Sequence, residues 1–139
     1  MPVNLSAFRP AVRMTLTDEG THIAVQILDA EEAALEESVY VWCTPEGEAL
    51  RVGTSKAGAW SRLRQYPRYI NKRLDGLNSE TPAWEAEAWL TLLQEHGHLD
   101  AVVLQPSMIM TVAGYLRPYN DLERVLIATL RPRLNRSHR

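Results

Sequence analysis

The side chains with the clearest chemical potential form a run of positive charge between Arg51 and Arg73. Seven basic residues and no acidic residue occur in this stretch. A guanidinium can hold a phosphate oxygen with two donors, and a row of cations suits the backbone of a nucleic acid. The run therefore indicates a surface that binds phosphate groups, and the plain alternative is a solvated basic helix face.

The net charge of the chain conceals this run. The 139 residues carry a net charge of −2, but residues 1–50 contain two basic and nine acidic residues, whereas residues 51–139 contain 13 basic and eight acidic residues. A sum near zero can hide two faces of opposite sign. The arginines near the C-terminus extend the positive part: Arg131, Arg133, Arg136 and Arg139.

The remaining composition narrows the class of protein. With 45% hydrophobic and 23% charged residues, the chain can bury the core of one domain. No apolar run reaches the roughly 18 residues that span a bilayer, and no signal peptide is evident. One cysteine, Cys43, fits a reducing compartment and leaves no zinc-binding cluster. We therefore expect a cytoplasmic protein with no membrane partner.

A β-hairpin is predicted directly before the basic run. The segments "VYVWCT" and "ALRVG" have the composition of strands, and Pro45-Glu46-Gly47 between them suits a tight turn. Trp60, Leu63 and Tyr66 follow at a spacing of three, which predicts one face of a helix that Pro67 interrupts. The hairpin and this helix must together position the basic side chains.

The rest of the chain is predicted as further strands and helices. Thr81 and Pro82 start a helix whose buried face holds Trp84, Ala88 and Leu92, and Gly97 ends it. The segment "SMIMTVAGYLRPY" is compatible with a loop or a short strand. The other predictions are strands at 22–28 and 100–106, a helix at 29–38, and a last helix that is capped by Asn120 or Asp121 and ends before Pro132.

Several dispersed pieces of the sequence, taken in order, resemble the GIY-YIG nuclease family. Val39-Tyr40 stands where the first motif has Ile-Tyr, with Ser38 in place of its glycine, and Val52-Gly53 stands where the second has Ile-Gly. Arg62 matches the helix arginine of the family, although it follows Gly53 by nine residues where eight is usual. Tyr66 stands where many members have histidine or tyrosine.

The resemblance continues into the last helix. Glu123 matches the glutamate of the family, and Pro132 and Asn135 follow it within "ERVLIATLRPRLN". The similarity covers about 38–135 and extends to the nuclease segment of the bacterial excision-repair incision subunit and to homing endonucleases. It implies an α+β fold with a small mixed sheet flanked by helices and a β-β-α-α-β-α core.

The same resemblance divides the chain into two parts. Residues 38–139 would form the GIY-YIG nuclease-like domain, and residues 1–37 would form an acidic N-terminal extension of one strand and one helix. The extension could pack on the sheet, cover the site or form a subunit contact, so a homodimer stays open.

The resemblance also implies a chemistry, because phosphodiester cleavage builds negative charge on the phosphate and the leaving oxygen. Glu123 would hold Mg²⁺ (or Mn²⁺), Arg62 would bind a phosphate oxygen, and Tyr40 would activate or position the attacking water. Tyr66 would share that work or pack below Arg62, and Asn135 would steady the site by hydrogen bonds. The residues expected to contact the DNA backbone are Arg51, Lys56, Arg64, Arg68, Lys72 and Arg73.

One position departs from the family pattern. The tyrosine of the second motif falls on Arg51, and a guanidinium cannot accept a proton at ordinary pH. Arg51 could bind a phosphate instead, with Tyr66, Tyr69 or Tyr119 taking over the phenol's role. The resemblance implies a metal-dependent DNA endonuclease, and because of Arg51 the alternative is a degenerate domain that binds nucleic acid or another protein.

Overall fold

The computed structural model describes residues 4–135, and Arg136 and Arg139 of the basic tail lie outside this range. The chain forms an α+β domain around one five-stranded sheet, as the sequence predicts. Its elements are β1 (Arg9–Leu16), β2 (Ile23–Ile27), α1 (Ala30–Ala33), β3 (Ser38–Cys43), β4 (Ala49–Ser55), α2 (Ala59–Leu63), α3 (Gln65–Leu74), α4 (Ala83–His96), β5 (His98–Leu104), β6 (Ile109–Thr111), β7 (Gly114–Leu116) and α5 (Tyr119–Leu130).

The strands of the main sheet follow the order β2-β1-β5-β3-β4. All four pairings are antiparallel. The sequence analysis expected a mixed sheet, and this part of the prediction is wrong. The predicted hairpin of β3 and β4, here called the first hairpin, is confirmed. Its turn is closed by hydrogen bonds between Thr44 and Glu48 and between Gly47 and Thr44, and Gly47 has a φ of 95°. This positive φ is readily adopted by glycine, which has no Cβ.

β3 is buried on both of its faces, because helices cover both sides of the sheet. Side chains alternate across a strand, so Tyr40 and Trp42 point to one face and Val39, Val41 and Cys43 to the other. The first pair joins the core below α2, α3 and α4, whereas the second set packs against α5. A strand held from both sides can fix a side chain such as Tyr40 in one place.

The N-terminal residues take part in the same sheet. β1, which the sequence analysis did not predict, lies between β2 and β5, and Ala11, Val12 and Met14 are completely buried. Arg13 of β1 makes a bidentate ion pair with Asp100 of β5, at 2.8 and 3.0 Å. The expected boundary after residue 37 thus falls inside one continuous sheet. β2 confirms the predicted strand, but the helix predicted at 29–38 is only α1.

Two helical predictions need correction. The break between α2 and α3 lies at Arg64 rather than at Pro67, because proline is tolerated in the first turn of a helix and Pro67 occupies the first turn of α3. In α4 the buried side is rotated from the predicted one: Trp84 is 38% exposed, whereas Glu85 and Trp89 are buried. The predicted end of α4 at Gly97, with a φ of 83°, is confirmed.

The open prediction for "SMIMTVAGYLRPY" resolves into β6 and β7, here called the second hairpin, which joins β5 to α5. All six of its strand residues are exposed. α4 is the longest helix among residues 4–135 with 14 residues. Within that range no helix combines the length and apolarity needed to cross a membrane.

Candidate active site

A cleft of about 310 Å³ lies beside the first hairpin, between the sheet, α2, α3, the start of α4 and α5. It collects residues that are far apart in sequence. Of the eleven residues predicted to be catalytic or to contact DNA, six line it: Tyr40, Arg51, Arg62, Tyr66, Glu123 and Asn135. The six therefore share one cleft, as a common chemical role requires.

Tyr40 is fixed in the cleft by the strand opposite. Tyr40 and Gly53 are direct partners in the register of β3 and β4, so their side-chain positions share one face of the sheet. A Cβ atom at Gly53 would lie only 2.3 Å from the Cζ and the hydroxyl of Tyr40. No such contact is tolerated between non-bonded atoms, so this orientation of Tyr40 depends on a glycine at position 53.

The hydroxyl groups of Tyr40 and Tyr66 are hydrogen-bonded to each other, with an O–O distance of 2.8 Å. Burial raises the pKa of Tyr40 well above its ordinary value, against the lowering effect of Arg51 and Arg62. Burial likewise raises the pKa of Tyr66, against the charge of Arg51 and the hydrogen bond to Tyr40. Both phenols therefore keep their protons at neutral pH, where they can donate and accept hydrogen bonds.

Edge-to-face ring contacts hold Tyr66 in place. Its ring centroid lies 5.4 Å from Trp42, 5.7 Å from Trp89 and 6.0 Å from Tyr40, with interplanar angles of 65–88°. Aromatic pairs prefer this arrangement because the positive edge of one ring meets the negative face of the other. Of the three tyrosines proposed as substitutes for the second-motif phenol, Tyr66 is the one hydrogen-bonded to Tyr40. Tyr69 also lines the cleft, whereas Tyr119 packs with α5 on the opposite face of the sheet.

Arg51, which the sequence analysis aligned with the tyrosine of the second motif, makes an ion pair with Glu85. Its Nη1 donates to Oε2 of Glu85 at 2.8 Å, and the indole Nε1 of Trp89 donates to the same oxygen at 3.1 Å. The guanidinium carbon lies 5.9 Å from the ring centroid of Tyr66. Sequence reasoning missed Glu85 and Trp89. The usable signal was a carboxylate four residues before Trp89 and seven before Leu92, on the apolar side of α4.

Arg62 is presented by a short helix whose start is tied to the end of β4. The side chains of Ser55 and Ser61 both donate to the carbonyl oxygen of Gly58, which precedes α2. Arg62 is exposed, and its charge lowers the pKa of both Tyr40 and Tyr66. Its guanidinium can therefore meet a phosphate that enters from solvent.

Glu123 and Asn135 reach the cleft from the C-terminal part of the chain. Glu123 is half-buried in the second turn of α5. Asn135 is buried, and its side chain accepts a hydrogen bond from the Val52 amide at 2.7 Å and donates to the Val52 carbonyl at 2.9 Å. Because β4 is an edge strand, Asn135 satisfies backbone groups next to Gly53 that would otherwise lack partners.

The basic run divides into two sets of side chains. Arg64, Arg68 and Lys72 are exposed at spacings of four residues, which places them along one stripe of α3, and Lys56 is exposed before α2. Arg73 instead donates to the carbonyl oxygens of Ser79 and Thr81, at 2.7 and 2.9 Å. Arg73 thus fastens the loop between α3 and α4, a structural task that its sequence position did not reveal. None of these five residues lines the cleft.

The donor set of the cleft restricts the kind of metal that it suits. Among residues 4–135 no group of three or more His, Cys, Asp and Glu side chains is arranged to hold a metal ion. A dedicated zinc or calcium cage therefore does not occur there. Mg²⁺ retains several water ligands and needs few carboxylates. Glu123 lines the cleft, whose volume of about 310 Å³ far exceeds the roughly 15 Å³ needed for one water, so the cleft has room for an ion with several water ligands.

Two solved structures of low sequence identity are similar to the chain. A mutant of EndoII from bacteriophage T4 matches with a TM-score of 0.60 and 15% identity, over 91% of this chain and 90% of that chain. The restriction endonuclease HPY188I in complex with product DNA matches with a TM-score of 0.49 and 13% identity, over 89% of this chain and 73% of that chain. No family model and no curated protein sequence matches the chain. At 15% identity, the first likeness shows a common fold alone, and the second is too low to add to it.

Proposed function

We propose that this protein is a metal-dependent DNA endonuclease of the GIY-YIG type, which hydrolyses phosphodiester bonds in the cleft. The observation that carries the proposal is the meeting of Tyr40, Arg62 and Glu123 in one cleft, from three separate parts of the chain. The resemblance of both strand motifs to the family and the fold shared with EndoII of bacteriophage T4 support it.

In this proposal, two arginines bind the substrate. Arg62 and Arg51 would donate hydrogen bonds to the oxygens of the scissile or a neighbouring phosphate, because guanidinium groups match phosphate geometry. The exposed cations along α3, Arg64, Arg68 and Lys72, together with Lys56, would contact the flanking DNA backbone. Such contacts release counterions, so binding should weaken steeply as salt is raised.

The phenols would orient the attacking water. One proton of the Tyr40–Tyr66 pair is used in their mutual hydrogen bond, which leaves the other O–H group to donate to a water or phosphate oxygen. Glu123 would hold Mg²⁺ (or Mn²⁺), and the bound cation would supply positive charge next to the leaving oxygen. Asn135 would keep β4 in position through Val52 and would not touch the substrate.

The test is cleavage of supercoiled plasmid DNA with Mg²⁺ by the wild type and by Glu123→Gln. Wild type should nick or cut the plasmid, and the variant should lose at least about 100-fold of that activity if its carboxylate holds the metal. Glu87→Gln is a matched control, because Glu87 is an exposed glutamate on α4 that does not line the cleft.

Two results would contradict the catalytic proposal: equal cleavage by wild type and Glu123→Gln, or no cleavage by either. If neither protein cleaves the plasmid, a gel shift at low salt tests the alternative function, a degenerate domain that binds nucleic acid. DNA binding that is lost at high salt would indicate a degenerate domain that binds nucleic acid, consistent with the arginine at position 51.

A further inference from the structure

We propose that Glu85 is a positioning residue of the cleft. Through Arg51 and Trp89 it holds the Tyr66 hydroxyl beside that of Tyr40, so that α3 supplies the phenol that the second motif lacks. This inference rests on the proposed function, since the phenol pair matters for catalysis only if the cleft cleaves DNA.

The first support is the burial of Glu85. Its residue is 5% exposed on the inner side of α4, where a carboxylate loses most of its hydration. Glutamate is almost never fully buried unless it is paired, because burial removes the water that stabilises its charge. Glu85 offsets this loss with an ion pair and an indole hydrogen bond on the same oxygen, Oε2.

The second support is that both partners of Glu85 contact the ring of Tyr66. Arg51 lies with its guanidinium carbon 5.9 Å from the Tyr66 ring centroid, and Trp89 packs edge-to-face at 5.7 Å. Tyr66 in turn holds the hydroxyl of Tyr40 at 2.8 Å. A change at Glu85 can therefore reach the phenol pair by two routes, in addition to the direct effect of its charge on Tyr66.

The third support concerns the part of Arg51 that Glu85 does not use. Among residues 4–135, Arg51 hydrogen-bonds through Nη1, to Glu85 at 2.8 Å and to the Leu134 carbonyl at 3.4 Å. Its Nε and Nη2 make no hydrogen bond within that range. Because Arg51 lines the cleft, these donors are available to a phosphate while the other end of the guanidinium stays anchored.

The ion pair between Arg51 and Glu85 explains how the cleft can accommodate an arginine where the second motif has tyrosine. Arg51 faces Trp42 directly across the first hairpin, on the same face of the sheet as Tyr40 and Gly53. Position 51 of β4 supplies no hydroxyl, but the hydroxyl of Tyr66 arrives from α3 and is hydrogen-bonded to that of Tyr40. Glu85 is what keeps the half-buried cation from displacing that ring.

The experiment is a set of variants at positions 85 and 51, with kcat and KM measured on a short DNA duplex with Mg²⁺. Glu85→Ala should lower kcat by about 100-fold, the size expected when reacting groups are misplaced. Glu85→Gln keeps an acceptor for Arg51 and Trp89 and should recover most of that loss. Glu87→Ala, on the exposed side of the same helix, should behave as wild type.

A double-mutant cycle separates positioning from an independent role. If Glu85 acts mainly through Arg51, then Arg51→Met combined with Glu85→Ala should lose far less activity than the product of the two single losses. Losses that multiply would overturn the proposal and would indicate that Glu85 acts alone, for instance on the metal. Arg51→Met leaves a buried carboxylate without its cation, so thermal unfolding must show that it folds; if it does not, Glu85→Ala against Glu85→Gln decides.

A readout without catalysis keeps this inference distinct from the proposed function. In protein with ¹³C-labelled tyrosine and no DNA or metal, Glu85→Ala should shift the Tyr66 and Tyr40 ring signals and leave the exposed Tyr115 signal in place. Unchanged Tyr66 signals would overturn the positioning role, whatever the activity. If wild type cuts no DNA while these shifts occur, the proposed function fails and the role of Glu85 in holding Tyr66 stands.

Discussion

All six residues of β3 in the first hairpin are buried, whereas all six strand residues of the second hairpin are exposed. The first is covered by helices on both faces and carries Tyr40 and Gly53. The second has six pairing residues and large apolar side chains in solvent, such as Val112 at its turn. Burial, more than strand composition, decides which hairpin can hold a side chain precisely enough for chemistry.

The largest expected effect comes from adding one methyl group to the first hairpin. In Gly53→Ala the new Cβ would lie 2.3 Å from the Tyr40 ring, so that the ring or β4 must shift. We expect DNA cleavage to fall by at least about 100-fold and the free energy of unfolding to fall by about 1–3 kcal/mol. Plasmid cleavage and urea unfolding measure the two effects.

The matched control is Gly114→Ala in the second hairpin. Its Cβ would meet no atom within 4 Å, although its φ of 122° strains any other residue locally. Cleavage by this variant should equal that of wild type. Full activity of Gly53→Ala, or an equal loss in both variants, would show that the contact with Tyr40 does not position the phenol.

The same contrast explains what the sequence could predict. The first hairpin, its turn at Gly47 and the end of α4 follow from local rules, because alternation and glycine punctuation act within a few residues. The meeting of Tyr40, Arg62 and Glu123 follows only from resemblance to a family, since no local rule joins residues 83 positions apart.

The partners of Arg51 could not be predicted from the local sequence, for a physical reason. Glu85 reads as an ordinary polar helix residue, and a one-step rotation of α4 exchanges the exposed Trp84 for the buried Glu85. That rotation is set by the ion pair with Arg51 and by the packing of Trp89, which are both long-range contacts. β1 was missed similarly, because Pro10 and Arg13 interrupt its apolar pattern while β2 and β5 pair with it.

The next effect in size concerns the shared hydrogen bond of Tyr40 and Tyr66. Tyr40→Phe and Tyr66→Phe each keep the ring and remove one hydroxyl of the 2.8 Å pair. If the phenols orient the attacking water as proposed, each variant should lower kcat by about 100-fold, and each should cost about 1 kcal/mol of unfolding free energy. Tyr115→Phe, in the exposed second hairpin, should change neither quantity.

If both phenols position the same water, the double variant should cut about as slowly as either single variant. A Tyr66→Phe enzyme with normal kcat would limit the chemistry to Tyr40 and would leave Tyr66 as packing for the first hairpin. The ratio of the two losses in kcat thus shows how much the reaction depends on the Tyr66 hydroxyl of α3 relative to the Tyr40 hydroxyl of β3.

A smaller effect is expected when pH is raised. Burial raises the pKa of Tyr40 and Tyr66 above 10.0, their ordinary value, and raises that of Cys43 from 9.0 to about 11. Unfolding lets these groups ionise more easily, so their contribution to stability is complete below pH 9 and is lost as pH rises through the folded pKa values. Urea unfolding from pH 8 to pH 11 should show this decline in the free energy of unfolding. Cys43→Ala should make the decline shallower at the lower end of this pH range, because the Cys43 thiol has the lowest ordinary pKa of the three groups. A flat profile would contradict the buried environment of β3.

The smallest effect is predicted for the apolar side chains of the second hairpin. Met110 is 71% exposed and Val112 fully so, so their replacement by serine removes almost no buried surface. Met110→Ser and Val112→Ser should each change the free energy of unfolding by less than about 0.5 kcal/mol. Val41→Ser, in the first hairpin, should cost about 2 kcal/mol or more, because it places a hydroxyl in a fully buried apolar site. Urea unfolding of the three variants measures this contrast directly.

A loss of unfolding free energy in Val112→Ser as large as that in Val41→Ser would mean that the second hairpin is covered in solution. The dependence of this loss on protein concentration would then tell whether a second copy of the chain covers it.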